Sequence, residues 1–194
     1  MIMIEIETCR LLLRAFQTRD RQDLFEILSD EQWCLDGGGY HAYKEADKAF
    51  DELFEKFMTQ TRYAIVLKKE NKTIGLISLS KANRAVNAYE FGFGISRKFQ
   101  RNGYAYEAIK GLLNAWFAKM DVDMFVVSHF PHNTASKQLI EKLGFIHEAT
   151  LHKAHSHAIY GAVDLECYYL ERPHVNPVND PAESDAILTN FQIR

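Results

Sequence analysis

Ile95-Ser96-Arg97-Lys98-Phe99-Gln100-Arg101-Asn102-Gly103-Tyr104-Ala105 joins two segments of different periodicity. Before it, Ala88 to Ile95 reads as a strand whose glycines at 92 and 94 mark a bulge or a close backbone approach. After it, Tyr104 to Lys119 places Ala105, Ala108, Ile109, Leu112, Leu113, Trp116 and Phe117 at helical spacing, one apolar stripe of an α-helix. Gly103 at the helix start lets backbone come close to a ligand. The free N–H groups of the first turn and the helix dipole both favour an anion there. Arg97, Lys98 and Arg101 add positive charge. On these grounds the turn is a phosphate or diphosphate cradle, with a plain charged strand-to-helix turn as the alternative. It is not the G-x-x-x-x-G-K-[ST] loop, and Gly92-Phe93-Gly94 lacks the third glycine of the dinucleotide fingerprint. Nucleotide hydrolysis and Rossmann-type cofactor binding therefore lose ground.

Outward from this stretch, the strand signals are Arg10 to Phe16, Tyr63 to Leu67, Thr73 to Leu79, Ala88 to Ile95, Met124 to Ser128, Phe145 to Leu151 and Val163 to Leu170. The turn Lys69-Glu70-Asn71-Lys72 closes a hairpin between the second and third. Helices are expected over Asp20 to Ser29, Tyr43 to Gln60, Tyr104 to Lys119 and Thr134 to Lys142. The last has Asn133 as N-cap and Gly144 just past its end. The order β-α-α-β-β-β-α-β-α-β-β describes an α/β layered domain with a mixed sheet of seven strands flanked by helices.

The chain has 194 residues, 47% hydrophobic and 25% charged, which is ordinary globular usage and enough for one sizeable core. Three of its four prolines, Pro173, Pro177 and Pro181, follow the last apolar run. The expected organisation is one domain over residues 1–171 and an extended tail over 172–194, with a short piece around Ile187-Leu188. A net charge of −3 gives no pull toward nucleic acid or an anionic membrane. No apolar run reaches the ~18 residues of a membrane span, and Met1-Ile2-Met3-Ile4-Glu5 does not read as a signal peptide. Cys9, Cys34 and Cys167 are few, odd in number and far apart. They argue against a disulfide framework or a zinc site and for a cytoplasmic protein.

Gln100-x-x-Gly103-x-Ala105 resembles the [RQ]-x-x-G-x-[GA] signature of the GCN5-related N-acetyltransferases, the GNAT family. His132-Asn133-Thr134-Ala135-Ser136 followed by Lys142-Leu143-Gly144-Phe145 resembles that family's next motif. Thr8-Cys9-Arg10-Leu11-Leu12-Leu13-Arg14 and Tyr89-Glu90-Phe91-Gly92-Phe93-Gly94-Ile95 are similar to the branch containing the ribosomal-protein alanine N-acetyltransferases. The resemblance spans roughly Thr8 to Leu170.

The resemblance implies a mostly antiparallel mixed sheet with a V-shaped gap where the fourth and fifth expected strands, Ala88–Ile95 and Met124–Ser128, splay apart. It implies acetyl-CoA as co-substrate, its pantetheine arm paired with backbone near Phe93, Gly94 and Ile95. Its pyrophosphate would be held by backbone amides from Arg101 through Asn102, Gly103 and Tyr104 to Ala105, after Gln100. No metal is required. The partners implied are acetyl-CoA and an amine acceptor, with no nucleic acid and no membrane, and a homodimer is left open.

Acetyl transfer needs a neutral amine, donors for the oxyanion and a proton for the departing thiolate. Glu90 is the candidate acceptor of the amine proton, aimed by the glycine bulge after it. The alternative is a solvated strand carboxylate. Asn133 sits where the family contacts cofactor or substrate, a role compatible with a simple N-cap. The family's usual tyrosine acid is missing between Asn133 and Gly144. Ser136 stands instead as proposed proton donor to the thiolate, or as an ordinary first-turn serine. Trp33 and Tyr40, flanking Gly37-Gly38-Gly39, are candidate acceptor contacts in what otherwise reads as a flexible connection. An α-amine, with a pKa of ~7.7–8.0 against ~10.4 for lysine, suits a weak base better. This tilts the acceptor toward a protein or peptide N-terminus. An amino acid, polyamine or antibiotic amine stays open, as does a non-catalytic CoA-binding module.

The remaining constellations carry less. His129-Phe130-Pro131-His132 reads as loop polarity, with a metal site or a histidine base as alternatives. His147, His152, His155 and His157 read as solvated histidines of the sixth strand and its following loop; the resemblance implies that this loop faces the substrate mouth, with a recognition or pH-sensitive role as the alternative. Cys9 and Cys167 read as core, which leaves no cysteine nucleophile.

Overall fold

The structure, a computed structural model, describes residues 3–59 and 61–173. In chain order the elements are β1 (Ile6–Glu7), β2 (Leu11–Ala15), α1 (Arg21–Leu28), α2 (Glu31–Gly38), α3 (Lys48–Thr59), β3 (Arg62–Leu67), β4 (Lys72–Lys81), β5 (Ala88–Ile95), α4 (Tyr104–Lys119), β6 (Met124–His129), α5 (Thr134–Lys142), β7 (Ile146–His157) and β8 (Gly161–Glu171). The strands form one sheet in the order β1-β2-β3-β4-β5-β6-β8-β7. Only β5 and β6 run parallel; every other neighbouring pair is antiparallel. The eighth strand, absent from the expected seven, is β1. Its two residues pair with Leu13 and Leu12, too short a stretch to show alternation.

Period-2 alternation divides the core between the two faces of the sheet. One face carries Leu11, Leu13, Tyr63, Ile65, Leu67, Ile77, Phe91, Phe125 and Val127 against the α4 stripe of Ala108, Ile109, Leu112, Leu113 and Trp116. The Trp116 indole donates to the buried Tyr63 hydroxyl at 3.1 Å, satisfying both polar tips. The other face carries Ala64, Val66 and Leu76 under Leu24 and Leu28 of α1 and Phe50, Phe54 and Phe57 of α3. α3 begins at Lys48 rather than Tyr43, because the Asp47 carboxylate accepts from the backbone N–H of Ala49 and Phe50 and so sets the start. Gln60 lies outside the described residues.

Four further expectations are corrected. Gly37 and Gly38 are no flexible connection but the last turn of α2, which starts at the Asp30 cap and stops at Gly39 with φ +69°. The β4–β5 register runs unbroken from Gly75↔Ile95 to Lys81↔Tyr89, so Gly92 and Gly94 form no bulge. β7 continues to His157 through what reads as a histidine loop, because β8 supplies a ladder partner beyond the irregularity between Leu151 and His155. Cys9 is exposed in the turn between β1 and β2, and Cys167 is half-buried on the open side of the sheet; only Cys34 is core.

Arg172 donates through Nε to the Val122 carbonyl at 2.6 Å and through Nη2 to the Met120 carbonyl at 2.7 Å, fixing the chain after β8 to the end of α4. The expected tail, with its piece at Ile187-Leu188, lies outside the described residues from 174 onward. Among the described residues no helix is long and apolar enough to cross a membrane.

Candidate active site

β5 and β6 pair only over Ala88↔Met124, Tyr89↔Phe125 and Glu90↔Val126, although β5 continues to Ile95 and β6 to His129. Past Glu90 the two strands separate, which is the gap expected between Ala88–Ile95 and Met124–Ser128. The backbone of β5 faces this gap in a definite way. The bonds from Ser96 N–H to the Ile74 carbonyl and from Ala82 N–H to the Ala88 carbonyl fix the parity of the ladder with β4. Even-numbered residues of β5 exchange hydrogen bonds with β4. Phe93 and Ile95 therefore turn their peptide groups toward the gap. The Ile95 carbonyl accepts from Trp33 Nε1 at 2.9 Å and from Gln100 Nε2 at 3.0 Å. The peptide groups of Phe93 and the N–H of Ile95 are left for an extended ligand.

A cavity of about 590 Å³ runs through the gap to the start of α4. It is lined by Trp33, Glu90, Phe93, Gly94, Ile95, Gln100, Arg101, Gly103, Tyr104, Ala105, Asn133 and Ser136 among the sequence-derived candidates. Asn102 and Tyr40 are not on its wall. Asn102 turns inward in its own loop, donating through Nδ2 to the Gln100 and Phe99 carbonyls. Tyr40 follows the left-handed Gly39 and is exposed at the surface.

The cradle is built by two left-handed residues. Arg101 has φ +63° and Gly103 has φ +77°, so the chain reverses sharply into α4 and leaves the first-turn N–H groups pointing outward. Gly103 is the N-cap without a side-chain acceptor, so no protein oxygen from the cap competes for those donors. This is the environment a diphosphate needs.

On the sheet face opposite α4, Glu90 is followed by Gly92 and Gly94, so β5 presents bare backbone beside the carboxylate. A side chain at Gly94 would overlap the Trp33 indole, which walls this side. The Asn133 amide is held at both ends. Its Oδ1 accepts from Ser136 N–H at 3.0 Å, and its Nδ2 donates to the Asp36 carbonyl at 2.9 Å, tying α5 to α2. Ser136 sits in the first turn of α5, on the cavity wall.

The wall also contains Asp36, Ser128, Phe130 and Leu139, none of them singled out from sequence for the site, and His129 and His155, which the sequence offered only as secondary alternatives. Ser128 to Phe130 lie at the carboxyl end of the parallel strand, the usual place for a ligand crevice and the one signal that points to them. His129 is no loop residue but the buried last residue of β6. Its Nδ1 lies 2.8 Å from the Phe130 carbonyl, so that nitrogen donates and Nε2 is left without a protein partner. His157 is also buried, its Nδ1 accepting from Ile159 N–H at 3.1 Å. His155 lies 3.1 Å from the Gly38 carbonyl, and Ala158 N–H donates to the Gly39 carbonyl at 2.6 Å, so the β7–β8 turn is fastened to α2 over one end of the site. Among the described residues no cluster of His, Cys, Asp and Glu forms a metal site.

Comparison with known proteins agrees with this geometry. Residues 10–146 match the model of the acetyltransferase (GNAT) domain. An uncharacterised N-acetyltransferase of Bacillus subtilis (strain 168), YnaD, is 29% identical over 154 residues, 77% of this chain and 87% of that protein. The ribosomal protein uS5-alanine N-acetyltransferase of Escherichia coli (strain K12) is 23% identical over 151 residues, 73% of this chain and 78% of that one. The crystal structure of a GNAT-family acetyltransferase from Bacillus anthracis superposes with a TM-score of 0.79 at 26% identity, over 88% of this chain and all of that one. A strand pair that opens past Glu90, a left-handed turn at Gly103 that leaves the start of α4 uncapped, and a family match over most of the chain lead to one assignment: this protein belongs to the GNAT family and is an acetyl-CoA-dependent N-acetyltransferase.

Proposed function

We propose that the acceptor is the α-amine of a protein or peptide N-terminus, and that Glu90 and Ser136 handle the two protons of the transfer. The observation that carries this reading is the position of Glu90. It is the last residue of β5 paired with β6, at the point where the gap opens, and the strand beyond it has no side chains on that face until Trp33 covers Gly94. An amine approaching over bare backbone reaches the gap beside a carboxylate. The uS5-alanine relative acts on an alanine of a ribosomal protein by its name, and the weak basicity of a carboxylate suits an α-amine better than a lysine.

In this reading the neutral amine nitrogen attacks the acetyl carbonyl carbon, the carbon–sulfur bond breaks, and no acyl-enzyme forms. Glu90 takes the proton the nitrogen loses, directly or through one water. The Ser136 hydroxyl passes a proton to the thiolate and regains one from the water that reaches the cavity. The peptide groups of Phe93 and the N–H of Ile95 receive the pantetheine arm as an added strand, and the first-turn N–H groups of α4 receive the pyrophosphate. Asn133, committed to Ser136 and Asp36, holds the serine at the cavity wall. Acetyl-CoA chemistry and three unpaired thiols suit a cytoplasmic setting.

The test is thiol release from acetyl-CoA with a panel of acceptors: peptides beginning with alanine or serine, free amino acids and spermidine. Turnover that is fastest with the peptides is expected. Turnover confined to spermidine or a free amino acid replaces the acceptor assignment, and binding of CoA without turnover on any amine replaces the catalytic one.

A further inference from the structure

Arg10, in the turn before β2, reaches the cradle at four points. Its Nε donates to Glu107 Oε2 at 2.6 Å and its backbone N–H to Glu107 Oε1 at 2.7 Å. Its Nη1 donates to the Asn102 carbonyl at 3.0 Å. The guanidinium carbon lies 4.5 Å from the centroid of the Tyr104 ring. A Cβ on Gly103 would lie 3.5 Å from Nη2. One residue more than ninety positions away in sequence thus contacts both sides of the left-handed turn that forms the cradle.

The charge balance explains why a cation is needed there. Glu107 is in the first turn of α4, and its carboxylate also accepts from Thr8 Oγ1 at 2.7 Å. Burial would raise its pKa, but the bonds from Thr8 and from the Arg10 backbone and side chain outweigh this and hold it below the ordinary value. A fixed negative charge one turn inside the helix suits the helix dipole but repels a diphosphate seated on the same turn. Arg10 is the cation bonded to that carboxylate. Arg101 and Lys98 flank the cradle as well, with no bond to Glu107 among those of the described residues.

We propose that Arg10 is a positioning residue for the diphosphate of CoA, fixing the Asn102–Gly103 turn and cancelling the Glu107 charge beneath it. This rests on the assignment of the cradle to CoA. A merely structural Arg10 and a charge-balancing one differ in what a second substitution does.

The experiment measures CoA affinity by calorimetry, kcat and the KM for acetyl-CoA, and melting temperature, for Arg10→Met, Arg10→Lys, Glu107→Gln and the double variant R10M/E107Q. Arg10→Met is expected to weaken CoA binding about tenfold, with kcat at saturating acetyl-CoA within about twofold. Arg10→Lys, which keeps the charge but not the fork, falls between. R10M/E107Q is expected to bind CoA more tightly than R10M alone, because the uncompensated carboxylate is gone. A double variant that binds no better than R10M, or an R10M affinity equal to wild type, overturns the proposal. If R10M does not fold, an Arg10→Lys affinity equal to wild type overturns it in the same way. Wild-type protein that gives no heat with CoA overturns the cradle assignment instead.

Discussion

Glu90 stands opposite Val126 in the last rung of the one parallel ladder among the described residues, and the gap opens at the next residue. The carboxylate is placed by where pairing ends, not by a distortion of its own strand. Glu90→Gln keeps the shape and removes the base. It is expected to lower kcat by roughly a hundredfold while CoA affinity stays at the wild-type value. Thiol-release kinetics beside calorimetry checks this, and an unchanged kcat would remove Glu90 from the mechanism.

Gly94 has room for no side chain, because the Trp33 indole occupies the position of its Cβ. Gly94→Ala must push Trp33 away and break its bond to the Ile95 carbonyl. The expected cost is about 1–3 kcal/mol of stability, read by urea denaturation, with a raised KM for the amine as the wall is displaced.

Gly103 differs from Gly94 in the source of its constraint. Its added Cβ would have only ordinary contact with Arg10 Nη2, but its φ of +77° lies in the left-handed region. Gly103→Ala is expected to cost about 1–2 kcal/mol and to weaken CoA binding several-fold as the cradle relaxes. CoA titration with a parallel melting curve separates the two effects. Affinity equal to wild type would mean that the turn does not shape the cradle.

A buried ion pair controls acid stability. Arg14 donates to both Asp20 oxygens at 2.7 and 2.9 Å, and Thr73 Oγ1 and Gln17 N–H add bonds at 2.7 Å each. Burial pushes the Asp20 pKa up, but the bonds from Arg14, Thr73 and Gln17 win and lower it below the ordinary aspartate value. A lowered folded-state pKa contributes stability that is present above the unfolded value of ~3.9 and lost as pH falls through the folded one. Asp20→Asn strands a buried guanidinium and is expected to cost about 3–5 kcal/mol at pH 7. Its stability should also fall less steeply than wild type below pH 4. Parallel acid titrations by circular dichroism test this; identical slopes would remove Asp20 from the acid limb.

The sequence by itself determined the elements whose signal is local. The α4 stripe, the Asn133 cap, the Gly144 stop and the turn around Gly103 are written in neighbouring residues, because helix periodicity and capping act over one or two turns. The family motifs fall on that same scaffold, which is why Glu90, the turn around Gly103 and Ser136, which line one cavity, can be picked out from the sequence. What the tertiary structure alone decided depends on contacts between distant segments. A two-residue β1 exists because β2 pairs with it, and β7 outruns its apolar pattern because β8 lies alongside. Trp33 covers Gly94, Asn133 ties α5 to Asp36, His129 closes β6, and Arg10 holds the turn before α4. None of these has a spacing signature, since register and long-range hydrogen bonds are settled only when the sheet assembles and each buried polar group must find its partner.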